Sequence, residues 1–188
     1  MTRTLLLLLA AGAVAASPAR ATAQLSTGFS LAGGIAIPRG TGSNQVDNGY
    51  NVAAGLNIGA PLIPVGLRLE AAYNAFNAKG STSGNSASQN VISATANGTF
   101  GLGLPYLIGG IGYYSTKATG TSGGVSYNSD RANALGLNGG VGLRFPLGVI
   151  STFAEIRYHK MMGSSNSNNL NLPSADVSYI PITFGINF

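Results

Sequence analysis

His159 is the sole histidine of the chain, and histidine is the side chain best suited to moving a proton near neutral pH. A general base must reach its nucleophile within hydrogen-bond distance. Two residues on stands Met161, and the next hydroxyls, Ser164 and Ser165, fall in a Ser/Asn-rich stretch whose spacing fixes no geometry. His159 therefore reads as a loop or rim residue. Glu70 and Glu155 could form an acid/base carboxylate pair. Arg68, Arg144 and Arg157 accompany them in the pattern, so structural ion pairing is the better account. Cysteine is absent, which removes disulfides, thiolate metal sites, a cysteine nucleophile and a lipid-anchored N-terminal cysteine. Asp47, Asp130 and Asp176 are isolated and do not make a calcium loop. Met161-Met162 suits a strand end better than a metal site. The glycine-rich stretch 101–112 has no following helix to cradle a phosphate. No catalytic residue, metal site or cofactor is expected, and the chain is not read as an enzyme.

The elements that carry these residues must be inferred from an unusual composition. Charged residues make up 8% of the 188, against about 25% in an ordinary soluble domain, while the apolar share is 45%. Serine, threonine, asparagine and glycine supply the polarity. A soluble surface needs more ions than this. The formal charge of +5 falls to +3 without Arg3 and Arg20. The remaining cations are scattered along the chain, with no basic patch interleaved with aromatics, so nucleic acid is not an expected partner.

Arg3, the apolar run 5–16, the break at Ser17-Pro18-Ala19 and the small-x-small pattern ending on Ala21 and Ala23 read as a Sec signal peptide over residues 1–23. A mature domain then covers 24–188, with a rival cut after Ala15. The run is short of the roughly 20 residues a spanning helix needs, and no later segment approaches that length. A membrane-embedded mature chain would have to be a closed barrel.

Period-two alternation recurs through the rest. Eight stretches carry it, at about 29–37, 50–60, 65–76, 90–102, 106–115, 134–145, 150–159 and 177–188. In the third, Val65, Leu67, Leu69, Ala71 and Tyr73 oppose Arg68, Glu70 and Asn74. In the seventh, Ile150, Ala154, Ile156 and Tyr158 oppose Ser151, Glu155, Arg157 and His159. The fifth is too glycine-rich for its faces to be assigned. Connections near 61–64, 103–105 and 146–148 are short, and those near 39–48, 77–88, 116–133 and 160–176 are long and polar. This asymmetry predicts an all-β, eight-stranded antiparallel up-and-down transmembrane barrel. Asn97-Gly98 and Asn138-Gly139 are competing hairpin signals that would give shorter strands and a soluble sandwich or meander.

Five strand charges cannot wet a soluble exterior, but they suit a narrow polar interior. Arg68, Glu70, Arg144, Glu155 and Arg157 are expected to form a charge network there, with apolar residues facing lipid. A barrel of eight strands is filled by its own side chains, so a plugged bore without an open channel is expected. Phe29, Phe100, Tyr106, Phe145 and Phe188 fall at one end of their strands, and Tyr50, Tyr73, Tyr113 and Tyr158 at the other. They are expected to form two aromatic girdles. Tyr179 is out of phase with the last strand's apolar face, and Pro181 beside it marks a bulge or weak point.

The chain resembles the small outer-membrane β-barrel proteins of the OmpA/OmpX type, a porin-like family. The resemblance rests on the signal peptide, the strand Pro105-Tyr106-Leu107-Ile108-Gly109-Gly110-Ile111-Gly112-Tyr113, the hairpin Gly140-Val141-Gly142-Leu143-Arg144-Phe145-Pro146-Leu147-Gly148, the strand Phe153-Ala154-Glu155-Ile156-Arg157-Tyr158, and the last strand. It spans essentially the whole mature chain. It implies the bacterial outer membrane, with both termini in the periplasm. It also implies that Ile180, Ile182, Phe184, Ile186 and Phe188 are the signal read by the barrel-assembly machinery. Expected surroundings are outer-membrane lipids and lipopolysaccharide around a monomer with a structural or surface-interaction role. Some barrels of this kind deacylate lipid A with a His, a Ser two residues later and a Glu. Met161 breaks that pattern here. A lipid-modifying enzyme and a soluble ligand-binding barrel with an apolar lumen remain the alternatives.

Overall fold

The computed structural model describes residues 25–40, 43, 46–60, 63–80, 85–123, 125–162 and 178–188. The signal-peptide reading, with Ala21 and Ala23, lies outside the described residues. So do Asp176, Ser164 and Ser165.

Nine strands are present among the described residues: β1 (Ser26–Arg39), β2 (Gly49–Gly59), β3 (Val65–Asn77), β4 (Asn85–Gly101), β5 (Pro105–Ser122), β6 (Val125–Asn128), β7 (Ala132–Leu147), β8 (Ile150–Met161) and β9 (Ser178–Asn187). Neighbouring strands of the ring are antiparallel, and β9 returns to β1, so β1-β2-β3-β4-β5-β7-β8-β9 closes on itself. Closure leaves none of the eight ring strands as an edge strand, the condition for a sheet in hydrocarbon. β6 lies outside the ring. It folds back on the upper part of β5, pairing Ser122 with Val125 and Thr119 with Asn128. The connection expected as a long loop at 116–133 is thus largely a hairpin that extends β5 beyond the barrel.

The two asparagine–glycine dipeptides are not turns. Asn97 pairs with Arg68 and Gly110, and Asn138 pairs with Gly110 and His159, all within continuous ladders. The strands' apolar alternation continues through both dipeptides, and that phase outweighs the local turn preference. Where a tight turn does form, between β7 and β8, Gly148 has φ 75° at the first central position, as two-residue hairpins require.

The short connections β2–β3, β4–β5 and β7–β8 share one end with the start of β1 and the end of β9. There Phe29 and Phe188 exchange backbone hydrogen bonds of 3.2 and 2.8 Å. The long connections share the other end. Alternation in exposure sorts the faces. Leu31, Leu67, Ile111, Leu135, Ile156 and Phe184 point outward and are exposed, whereas Arg68, Asn74, Asn97, Glu155 and His159 are buried inside. A soluble ligand-binding barrel would show the reverse. Pro181 keeps its register with Ala36 on β1, but the β8–β9 ladder runs from Ile156↔Ile182 to His159↔Tyr179 without pairs between. The sum of paired positions is unchanged across that gap, so Pro181 interrupts pairing without inserting a bulge. Lacking an N–H, it cannot donate to the ladder.

Candidate functional site

The bore is filled in layers, and the inward face of β8 presents all of them in order: Phe153, Glu155, Arg157, His159, Met161. At the short-turn end Phe153 packs with Tyr106 and Ile108. At the loop end Met161 packs with Ala36, Phe76, Val91, Tyr114 and Tyr179. Ions occupy the middle.

Four of the five expected charges meet there. Arg68 Nη1 lies 2.9 Å from Glu155 Oε2 and 4.0 Å from Glu70 Oε2. Arg157 reaches Glu70 Oε1 at 2.5 Å through Nη2 and Glu155 Oε1 at 2.6 Å through Nε. β3 carries Arg68 and Glu70, and β8 carries Glu155 and Arg157. These strands are four places apart in a ring of eight, so the ion pairs cross the full width of the bore. Neutral groups complete the cluster. Tyr106 Oη donates to Glu155 Oε2 at 2.6 Å, and Arg68 Nε donates to Asn57 Oδ1 at 2.8 Å. Above and beside them, Asn138 donates to Asn97, and Asn51 donates to Asn74. Two arginines opposing two glutamates leave the cluster formally neutral, which limits the cost of burying it, provided each ion keeps its partners.

Arg144 is not in this network. It has the inward phase, but it sits at the short-turn mouth, is exposed, and lays its guanidinium 5.2 Å from the centre of the Tyr106 ring. Alternation gives the face of a residue but not its depth, and Arg144 lies beyond the level at which the bore closes.

Tyr106 also departs from expectation. It is buried inside the barrel, not in an outer girdle. On β5 the inward residues are Tyr106, Ile108, Gly112 and Tyr114, and the outward ones are Leu107, Gly109, Ile111 and Tyr113. Tyr106 and Tyr113 are seven residues apart, an odd number, so a regular strand places them on opposite faces. That parity was the available signal. Space for the inward rings comes from glycine: a Cβ at Gly142 would collide with the Tyr106 ring, and one at Gly185 with the Phe153 ring. The other proposed girdle residues, Phe29, Tyr50, Phe100, Phe145 and Tyr158, are outward and exposed. Tyr73 is half-buried, its ring 6.0 Å from that of Tyr50. On β9, Phe184, Ile186 and Phe188 are exposed, with Ile180 and Ile182 half-buried on the same face.

His159 is buried in the bore, not in a loop or at a rim. Its Nδ1 is 2.9 Å from Tyr114 Oη, and its ring stacks on Tyr179 with centroids 4.8 Å apart. Neither a serine nor a carboxylate is hydrogen-bonded to it among the described residues. No group of three or more His, Asp or Glu that could hold a metal occurs among the described residues.

The sequence profile described as "Outer membrane protein beta-barrel domain" matches residues 6–188. No curated protein matches the chain. Among solved structures, the chain is similar to Neisserial surface protein A, with 14% identity over 87% of this chain and 97% of that one, TM-score 0.52. It is similar to Ail, the attachment invasion locus protein of Yersinia pestis, with 17% identity, 86% and 97% coverage, and TM-score 0.52. A major outer membrane protein from Thermus thermophilus aligns with 16% identity, 87% and 99% coverage, and TM-score 0.56. At these identities the likeness is one of fold.

Proposed function

We propose that this chain, which belongs to the outer membrane protein β-barrel family, is a monomeric structural and surface-interaction protein with a plugged bore and no catalytic activity. Both termini and the short turns then face the periplasm, and the long connections face outward from the cell. Its surroundings are outer-membrane lipids and lipopolysaccharide, and its insertion depends on the barrel-assembly machinery reading Ile180, Ile182, Phe184, Ile186 and Phe188. Phe29, Tyr50, Tyr73, Phe100, Phe145 and Tyr158 serve as interfacial anchors.

The observation that carries this reading is the pair of salt bridges joining β3 to β8 across the bore, capped by apolar clusters at both ends. A solute would have to separate buried ion pairs and displace packed rings to pass. His159 supports the non-enzymatic reading, because its ring is taken up by Tyr114 and Tyr179.

Planar-bilayer recording of the purified protein tests the closed bore. No stable stepwise conductance is expected, and a persistent open level would overturn it. Orientation is tested by epitopes inserted at Gly80 and at Gly148. Antibody should label intact cells only through Gly80, and labelling through Gly148 would reverse the topology.

A further inference from the structure

We propose that Arg39, Lys117, Arg131 and Lys160 form a collar on the outer wall of the barrel that binds the phosphate groups of glycolipid headgroups in the outer leaflet. This rests on the membrane placement proposed above.

The ten cations of the sequence are sorted by the fold. Arg3 and Arg20 precede the described residues, Arg68 and Arg157 are inside, and Arg144 is at the short-turn mouth. The remaining five, the four above and Lys79, all lie toward the long-connection end. Arg39 follows Ile37 at the top of the outward face of β1. Lys160 follows Tyr158 on the outward face of β8. Lys117 stands four residues above Tyr113 on β5, and Arg131 directly precedes β7, four residues from Leu135. Even spacings keep Arg39, Lys117 and Lys160 on the same face as the apolar residues beneath them, and Arg131, just outside β7, is tied to that face by its contact with Ser115. Lys117 is half-buried and the other three are exposed.

Pairing groups them further. Arg39 is the register partner of Ser178, and Ser178 is the partner of Lys160. Two cations therefore flank one serine on a single row across three adjacent strands. On the other side of the barrel Arg131 Nη1 reaches Ser115 Oγ at 3.5 Å, two residues below Lys117 on the same face. Among the described residues no carboxylate lies within 4.0 Å of any of these four, and both strand glutamates are turned inward.

Each group thus places positive charge above an exposed apolar wall that includes Ile111, Tyr113, Leu135 and Leu137, and the half-buried Ser115 adds a hydroxyl beside Lys117 and Arg131. That juxtaposition fits an amphiphile whose anionic head meets the cations while its acyl chains lie along the wall. A soluble anion would use only half of it.

The test uses the purified protein reconstituted in phosphatidylcholine vesicles doped with bisphosphorylated lipid A. Lipid A retained per folded barrel after extraction in mild detergent is measured by mass spectrometry. The variants are R39Q/K160Q, K117Q/R131Q, the quadruple substitution and the charge-conserving K117R/R131K. Retention by wild type and K117R/R131K is expected to be equal. It should fall about fivefold for each cation removed, since each is worth about 1 kcal/mol near a charged surface. Lipid A stripped of both phosphates should not be retained. Wild-type retention by the quadruple variant overturns the proposal, as does equal retention of phosphate-free lipid A. Release by millimolar inorganic phosphate would reassign the site to a soluble anion. Heat-modifiable gel migration of every variant is read in parallel. Failure of the wild type to insert at all would sink the membrane placement, whereas insertion without phosphate-dependent retention sinks only the collar.

Discussion

Arg68 on β3 and Glu155 on β8 face each other from diametrically opposite walls of the barrel, 2.9 Å apart and both buried. With Arg157 and Glu70 they form crossed braces, so the interior is a load shared between strands that have no backbone contact with each other.

Removing one member of a buried pair leaves an unpaired charge, at a cost of about 3–5 kcal/mol. Glu155→Ala should lower the unfolding free energy in lipid vesicles by that amount. The double variant Arg68→Ala/Glu155→Ala should be less destabilised than the sum of the single changes. Strict additivity, measured by urea titration, would mean the two side chains do not interact.

Tyr106 makes a separable prediction. Tyr106→Phe deletes the donor to Glu155 and should cost about 1.5–3 kcal/mol, the range for a hydrogen bond to a charged group. Tyr158→Phe, on the outer wall, should stay within about 0.5 kcal/mol. Equal effects would place both rings in equivalent surroundings.

Glycine substitutions read the two faces directly. Gly142→Ala puts a methyl group into the Tyr106 ring and should destabilise by about 1–3 kcal/mol, with partial rescue in a Tyr106→Ala background. Gly98, Gly109 and Gly139 face outward, where the nearest atoms to a new Cβ lie at 3.8, 3.5 and 3.9 Å. Alanine there should be near neutral, judged by folded yield and urea midpoint.

His159→Ala should leave the lipid A acylation pattern of cells unchanged by mass spectrometry while lowering barrel stability. The loss includes the ring pair with Tyr179, worth about 0.5–1.5 kcal/mol beyond its buried area. A His159-dependent loss of acyl chains would instead establish an enzyme.

The strand set and its inside-out arrangement were legible in the amino-acid order alone. Period two is a property of a strand whatever surrounds it, and a chain with so few ions has only one economical place for them. Val65 to Tyr73 opposing Arg68 and Glu70 could therefore be read before any fold was known. The extension of β5 by β6 could not, because its Ser/Thr/Gly residues carry no apolar phase. Depth and neighbours came from the three-dimensional arrangement. It excluded Arg144 from the network, drew Tyr106 and His159 into the bore, and matched Arg68 with Glu155 over a separation of 87 residues. It also gathered at one rim four cations that look scattered along the chain, Arg39, Lys117, Arg131 and Lys160. Alternation specifies a face but not a level. Level and neighbour are set by hydrogen-bond register around a closed ring, which links residues far apart in sequence.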